Sequence, residues 1–158
     1  MYYCTSDDRQ QLTIYQKQPA IMYCHDTQIR VRYAETDQMG VVYHSNYFPW
    51  FESSRAEAIR SLGYTYALLE KSGIIMPVVD VHCRYLRPAL YDELLTVRTI
   101  VKELPVHHKI EFFNEVYNEK DELLASAKII LYFMEAKTMK RATMPDDMLE
   151  KLKPFFTT

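Results

Sequence analysis

The residues best suited to chemistry lie in one polar segment, residues 33–46, directly before an aromatic stretch. The segment contains Tyr33, Asp37 and His44. A carboxylate can attack a carbonyl carbon or take a proton from an attacking water, and a histidine or tyrosine can orient that water or donate a proton. Beside backbone N–H groups that stabilise an oxyanion, such a carboxylate is suited to acyl hydrolysis. An aspartate before a helix is also a common turn or capping residue, so the spacing leaves both roles open.

The element that must position these side chains is the helix that follows them. Apolar and small residues recur at helical spacing from Tyr47 to Leu62. Pro49 lacks an N–H group and therefore fits only in the first turn, which places the helix start near Asn46, a favourable capping residue. Gly63 then follows the C-cap. The sequence predicts a helix of about four turns whose N-terminal N–H groups face the polar segment.

The rest of the chain has the pattern of antiparallel strands. Alternating and β-branched runs predict five strands, at residues 27–33, 74–85, 93–102, 109–117 and 123–133. Residues 118–121 are typical of a hairpin turn, and Pro145 precedes a short amphipathic helix at residues 148–152. One long helix against at least five strands predicts an α+β fold, with a sheet that curls around the wide aromatic face of the helix. Open sheet edges also favour pairing between subunits, so a dimer is expected.

Composition narrows the class of protein. A chain of 158 residues with 48% hydrophobic and 25% charged residues is typical of one folded globular domain. The formal net charge is −2, so no basic surface for nucleic acid is expected. The 3 cysteines are scattered and form no CxxC pair, which favours a reducing cytoplasm. No apolar run approaches about 18 residues, so neither membrane insertion nor secretion is expected.

A family resemblance adds to this interpretation. The segment Arg32–Tyr47, followed by Phe51, Glu52 and Arg55, closely resembles the signature of the 4-hydroxybenzoyl-CoA thioesterase family of hotdog-fold proteins. The segment from Arg84 to Leu94 is similar to one in the acyl-CoA thioesterases found with the bacterial Tol–Pal envelope system. The resemblance extends over residues 26–136. It implies a central helix wrapped by a curled antiparallel sheet, active sites formed between two subunits, and hydrolysis of acyl-CoA to a free acid and coenzyme A.

The same resemblance implies site residues, position by position. The essential carboxylate corresponds to Asp37, the backbone N–H that polarises the thioester carbonyl to His44, and the tyrosine of the subgroup to Tyr33. Asp37 is then the nucleophile or the general base, and the sequence leaves both open. The implied substrate-binding residues are Gly40, Val41, Asn46, Tyr47, Arg84 and Arg87.

Five of these six substrate-binding residues have an expected part. Gly40 matches a glycine that allows close backbone approach. Asn46 and Tyr47 match the helix start. Arg84 and Arg87 either contact the phosphates of coenzyme A or are solvated. The coenzyme A thiolate is a fair leaving group, so no metal and no cofactor is expected.

Several alternatives stay open at this point. The acyl group can be carried by coenzyme A or by acyl carrier protein, because both share a pantetheine arm, and the assembly can be a homodimer or a homotetramer. A hotdog protein that binds acyl-CoA or a protein partner without turnover is one rival. A hydratase or dehydratase on the same fold is another.

The expected domain organisation has three parts. Residues 1–22 show no sustained period and are treated as an N-terminal extension that is disordered or not native. Residues 23–144 form the hotdog thioesterase domain. Residues 145–158 form a short helix and a tail.

Overall fold

The computed structural model describes residues 22–156. The expected extension, residues 1–22, therefore lies outside the described residues apart from Met22. Five long antiparallel strands form one sheet in the order β1-β4-β5-β6-β3. Their bounds are β1 Tyr23–Arg30, β3 Val78–Tyr85, β4 Leu94–Val101, β5 Lys109–Tyr117 and β6 Leu123–Tyr132. The last three confirm the predicted strands to within two residues, because their apolar alternation matches one buried and one exposed sheet face.

Two predicted strands differ from the structure. The first begins and ends earlier than residues 27–33, because the backbone N–H of Arg32 donates to the Glu35 carboxylate (2.8 Å) and the chain turns into a 3₁₀ turn at Tyr33–Glu35. The predicted strand 74–85 is broken at Pro77, which has no N–H for a ladder. Its first part, β2 (Ile74–Ile75), pairs instead with β7 (Met134–Glu135).

Helix α1 spans Tyr47–Ser61 and confirms the predicted central helix. Asn46 occupies the N-cap position, but its side chain makes no capping hydrogen bond. Gly63 follows the C-cap with a φ of +73°, the left-handed conformation that glycine adopts without steric cost. The buried face of α1 comprises Tyr47, Trp50, Phe51, Ser54, Arg55, Ala58 and Ile59.

Two further helices complete the chain. Helix α2 (Tyr66–Lys71) was not predicted; the Thr65 side chain caps it by accepting a hydrogen bond from the Leu68 N–H (3.2 Å). Helix α3 (Asp146–Leu152) contains the predicted terminal helix, and its Met148 and Leu152 belong to the same core as α1. Within residues 22–156, no helix has the length and apolarity that a bilayer span requires.

The strand β3 is an uncovered edge of the sheet. Of its residues only Cys83 is partly buried; the others are exposed, including Val78, Val79 and Val81. The inner strand β5 instead alternates between buried and partly buried residues. An apolar edge strand with unpaired backbone groups is a surface on which another strand can pair.

Phe51 tests the packing of α1 in the sheet. Its side chain is fully buried (0% exposed), whereas Phe48 on the same helix is 39% exposed. We expect Phe51→Ala to lower the free energy of unfolding by about 3–5 kcal/mol, because it leaves a cavity against the sheet. Phe48→Ala is the matched control and should cost much less. Urea denaturation measures both, and equal losses would contradict this account of the core.

Candidate active site

Asp37 lies in a short hairpin that precedes α1. An isolated bridge joins Thr36 to Val42, and the Asp37 N–H donates to the Val41 carbonyl (2.9 Å). The Asp37 Oδ1 accepts a hydrogen bond from the Met39 N–H (2.8 Å). Within residues 22–156 the other carboxylate oxygen, Oδ2, has no hydrogen-bond partner. One oxygen therefore fixes the carboxylate while the second is available to a reactant.

Gly40 closes the turn at the tip of this hairpin. Its N–H donates to the Asp37 carbonyl (2.9 Å), and its φ is +77°. A Cβ added at Gly40 would meet no described atom within 4 Å. The positive φ favours glycine at this position, and the open space beside it leaves the expected close backbone approach a prediction.

His44 begins a 3₁₀ turn, His44–Asn46, that leads directly into α1. Its ring is exposed and packs against Tyr43, with ring centroids 4.3 Å apart. Among the described residues, the His44 backbone N–H has no hydrogen-bond partner. Unpaired N–H groups at the start of a helix favour negative charge, so this amide is suited to an oxyanion.

Tyr85, which the sequence interpretation did not assign to the site, holds this amide segment. Its hydroxyl donates to the His44 carbonyl (2.9 Å), and its ring packs edge-on against Tyr47 (5.1 Å between centroids). Burial, followed by a hydrogen bond with Cys83, raises the pKa of Tyr85 to about 12. The phenol therefore stays protonated at neutral pH and continues to donate. The contact between Tyr85 and His44 could not be predicted from the sequence, because the two residues meet only through the fold.

Tyr47 forms the inner wall of the site. Its side chain is buried against Trp50 (4.9 Å between ring centroids) and Tyr85. Burial raises its pKa above the ordinary value, more than a hydrogen bond with the Ala89 backbone lowers it. A buried neutral phenol and the rings packed against it give this side of the site an apolar surface.

These residues surround an open cleft of about 400 Å³. It is lined by Asp37, Met39, Val41, Val42, His44, Tyr47, Tyr85, Leu86, Arg87 and Pro88. The fold thus brings together five residues that the sequence interpretation had selected: Asp37, Val41, His44, Tyr47 and Arg87. Most of the remaining lining is apolar, which suits a hydrocarbon or aromatic group.

The other four selected residues do not line this cleft. The Tyr33 side chain is 79% exposed and its ring packs edge-on against Tyr91, with centroids 5.7 Å apart. Asn46 turns its side-chain amide to the Glu35 carbonyl (2.7 Å). Arg84 is exposed on β3, and Gly40 lies in the turn beside the cleft.

Arg87, which lines the cleft, forms an ion pair with an acidic side chain. Arg87 pairs with Glu122 (2.6 Å), but both side chains are substantially exposed, so the pair is weak and an anionic group can compete for the arginine.

A smaller cavity of about 190 Å³ at residues 102–107 shares no residue with the cleft. Nowhere in residues 22–156 do three or more His, Cys, Asp or Glu side chains cluster as metal ligands would.

A five-stranded antiparallel sheet curled around one long helix defines a hotdog-type protein. Residues 31–152 match the thioesterase-like superfamily, and the chain belongs to that superfamily. This confirms the expected family and the expected fold.

Three known proteins illustrate the similarity. The putative acyl-CoA thioesterase YneP of Bacillus subtilis is 41% identical over 106 residues, which cover 67% of this chain and 76% of that protein. The structure of DHNA-CoA thioesterase from Staphylococcus aureus matches with a TM-score of 0.72 and 39% identity, covering 76% of this chain and 80% of that one. A 4-hydroxybenzoyl-CoA thioesterase variant, complexed with 4-hydroxybenzoyl-CoA, has a TM-score of 0.74 at 20% identity, over 82% and 99% of the two chains, and supports the fold. The Tol–Pal subgroup and the residue roles stay predictions.

Tyr85→Phe tests the contact that holds His44. The variant keeps the ring packing and removes the hydrogen bond to the His44 carbonyl, so we expect the free energy of unfolding to fall by about 0.5–1.5 kcal/mol. In an amide NMR spectrum the Ser45 resonance should shift, because its N–H belongs to the same peptide group. Tyr132→Phe, which also removes a phenol from a packed ring, should leave that resonance in place. An unmoved Ser45 resonance in Tyr85→Phe would contradict the contact.

Proposed function

We propose that this chain hydrolyses acyl-CoA thioesters to a free acid and coenzyme A, with Asp37 as the catalytic carboxylate. The observation that carries the proposal is that Asp37, with one unpartnered oxygen, lines the same cleft as His44, whose N–H is unpaired. Membership of the thioesterase-like superfamily supports the reaction class. The names of the similar proteins, among them an acyl-CoA thioesterase and a DHNA-CoA thioesterase, support a coenzyme A thioester as substrate.

The reaction follows from these two groups. The thioester carbonyl oxygen accepts a hydrogen bond from the His44 N–H, which stabilises the oxyanion as the carbonyl carbon is attacked. One well-placed donor of this kind is worth about 2.7–4 kcal/mol in comparable acyl-transfer sites. In the general-base route, water attacks the carbon and gives its proton to Asp37, the C–S bond breaks, and the proton passes to the leaving thiolate.

The nucleophilic route uses the same geometry. The unpartnered Asp37 oxygen attacks the carbonyl carbon and expels the thiolate, which leaves a mixed anhydride that water opens to give the acid and the free aspartate. In either route the His44 ring positions water or assists proton transfer, and Tyr33 orients the carboxylate or gives a proton to the departing sulfur. Tyr33 and Gly40 enter the proposal through the family resemblance, and Asn46 enters as the residue that holds the helix start.

The substrate is assigned to the cleft by chemistry. The apolar wall of Met39, Val42, Tyr47 and Leu86 accepts the acyl group. Arg87, at the cleft, binds a phosphate of the coenzyme A arm, and Arg84 is the second candidate for that contact. Acyl carrier protein presents the same pantetheine arm and is the alternative carrier. We place the activity in the cytoplasm, because the 3 cysteines of the sequence are scattered and form no CxxC pair.

We further propose that the active assembly is a homodimer paired through β3, which can associate further into a homotetramer. The outer edge of β3 is uncovered and apolar, and Val81, opposite the buried Ile129, faces the core side. The opposite face carries Asp80, His82 and Arg84. Antiparallel pairing of two copies centred on His82 would set Asp80 against the second copy's Arg84, so the charge pattern is self-complementary. A second copy beside this edge would cover the open cleft.

Asp37→Asn is the direct test of the catalytic carboxylate. The asparagine Oδ1 still accepts from the Met39 N–H, so the hairpin is retained while the base or nucleophile is lost. We expect thiol release from a panel of acyl-CoAs to fall by at least about 100-fold. Asp121→Asn, in the exposed β5–β6 turn, is the matched control and should retain the wild-type rate. Equal rates for Asp37→Asn and wild type would exclude Asp37 as the catalytic group.

Val81→Lys tests the pairing through β3. A charged side chain at this apolar edge should leave a monomer near 18.8 kDa in light scattering, with reduced thiol release. Val106→Lys, at an exposed valine in the loop after β4, should keep the wild-type mass. The pairing is excluded if Val81→Lys keeps that mass, and a fully active monomer would exclude a shared site.

A further inference from the structure

Glu35 is a buried acid in an otherwise exposed loop. It is 6% exposed, whereas Tyr33 and Ala34 beside it are exposed. Its Oε2 accepts a hydrogen bond from the Arg32 backbone N–H (2.8 Å), and its Oε1 accepts from the Arg32 Nη2 (3.0 Å) and from the Trp50 indole Nε1 (3.1 Å). Three donors converge on one carboxylate, which is the environment that a buried anion requires.

The backbone of Glu35 makes a second set of contacts. Its carbonyl oxygen accepts from the Tyr43 N–H (2.9 Å) and from the Asn46 side-chain amide (2.7 Å). Side chain and carbonyl together therefore connect three segments: the end of the first strand, the residue before His44, and the first turn of α1. No other described residue makes hydrogen bonds to all three.

These contacts keep Glu35 charged. Burial raises the pKa of its carboxyl group, but the hydrogen bonds from the Arg32 backbone N–H, the Arg32 guanidinium and Trp50 lower it more, and the net pKa lies below the ordinary value. At neutral pH the ionised carboxylate thus accepts from all three donors. Glu35 does not line the cleft and its oxygens are occupied, so it is not placed to act on substrate.

We propose that Glu35 is a positioning residue that sets the Asp37 carboxylate against the His44 N–H. Asp37 follows Glu35 by two residues, and the Glu35 carbonyl closes the base of the hairpin at Tyr43, directly before His44. Trp50 and Asn46 fix the same residue to α1. A displacement of about 1 Å between reacting groups can cost about 100-fold in rate, so the base of the hairpin controls the reaction at its tip. This inference rests on the proposed thioester hydrolysis.

The test is Glu35→Gln, measured by thiol release from acyl-CoA. The glutamine has one acceptor oxygen, and its NH₂ group faces donors, so the hairpin base loses its fixed position. We expect kcat to fall by at least about 10-fold while KM changes by less than about 3-fold, because the cleft itself is intact. Glu119→Gln, in the exposed β5–β6 turn, is the matched control and should match wild type in both constants.

A spectroscopic readout accompanies the kinetics. The chain has 1 tryptophan, so its indole N–H gives a single NMR resonance that reports the Glu35–Trp50 hydrogen bond. This resonance should shift in Glu35→Gln and stay in place in Glu119→Gln. If Glu35→Gln does not fold, Arg32→Ala removes only the guanidinium donor to Glu35 from a largely exposed side chain and should lower kcat in the same direction by a smaller factor.

The outcomes separate this inference from the proposed function. Full kcat per folded molecule, with only a lower melting temperature, would overturn the positioning role and leave Glu35 a structural residue. A raised KM at unchanged kcat would overturn it as well. If the wild type releases no thiol from any acyl-CoA, the proposed function fails and the inference with it; if the wild type is active and Glu35→Gln equals it, only the inference fails.

Discussion

The burial of one face of α1 in the concave sheet is the constraint on which the site depends. Phe51 and Ala58 are fully enclosed, and Trp50 and Tyr47 extend the same face to the first turn of the helix. Because the buried side chains fix the rotation and the axial position of α1, they also fix where its first turn lies. The unpaired N–H group of His44, just before that turn, is thereby held at one point beside the hairpin that carries Asp37.

The site is built on rigid neighbours rather than on a flexible loop. Glu35 ties the hairpin to Trp50 and Asn46 on the helix side, and Tyr85 reaches from β3 to the His44 carbonyl. Hydrogen bonds to charged groups, such as those to the Glu35 carboxylate, are stronger than bonds between neutral groups. The Asp37 carboxylate, which is proposed to react, accepts one hydrogen bond and has a second oxygen available to a reactant.

The open side of the cleft and the open edge of the sheet are connected through Tyr85. Tyr85 both lines the cleft and ends β3, so anything that pairs with the edge of β3 also approaches the cleft. In a single chain Tyr33 points to solvent and packs on Tyr91, away from the cleft lining. A second copy across β3 would change the surroundings of Tyr85, which is why the proposed function and the proposed dimer are linked.

The local pattern of the chain determined the helix, three of the strands and the polar segment before the helix. Pro49 and Gly63 mark the ends of α1 by chemistry that acts within a few residues, and the alternation in β4, β5 and β6 follows from one buried and one partly buried face. Family resemblance assigned catalytic roles to Asp37 and His44. Tertiary structure decided the rest: that β2 pairs with β7, and that Glu35 and Tyr85 hold the site. Neither helical nor strand periodicity predicts the contact of Glu35 with Trp50 or that of His44 with Tyr85. Both contacts depend on how the sheet curls around the helix.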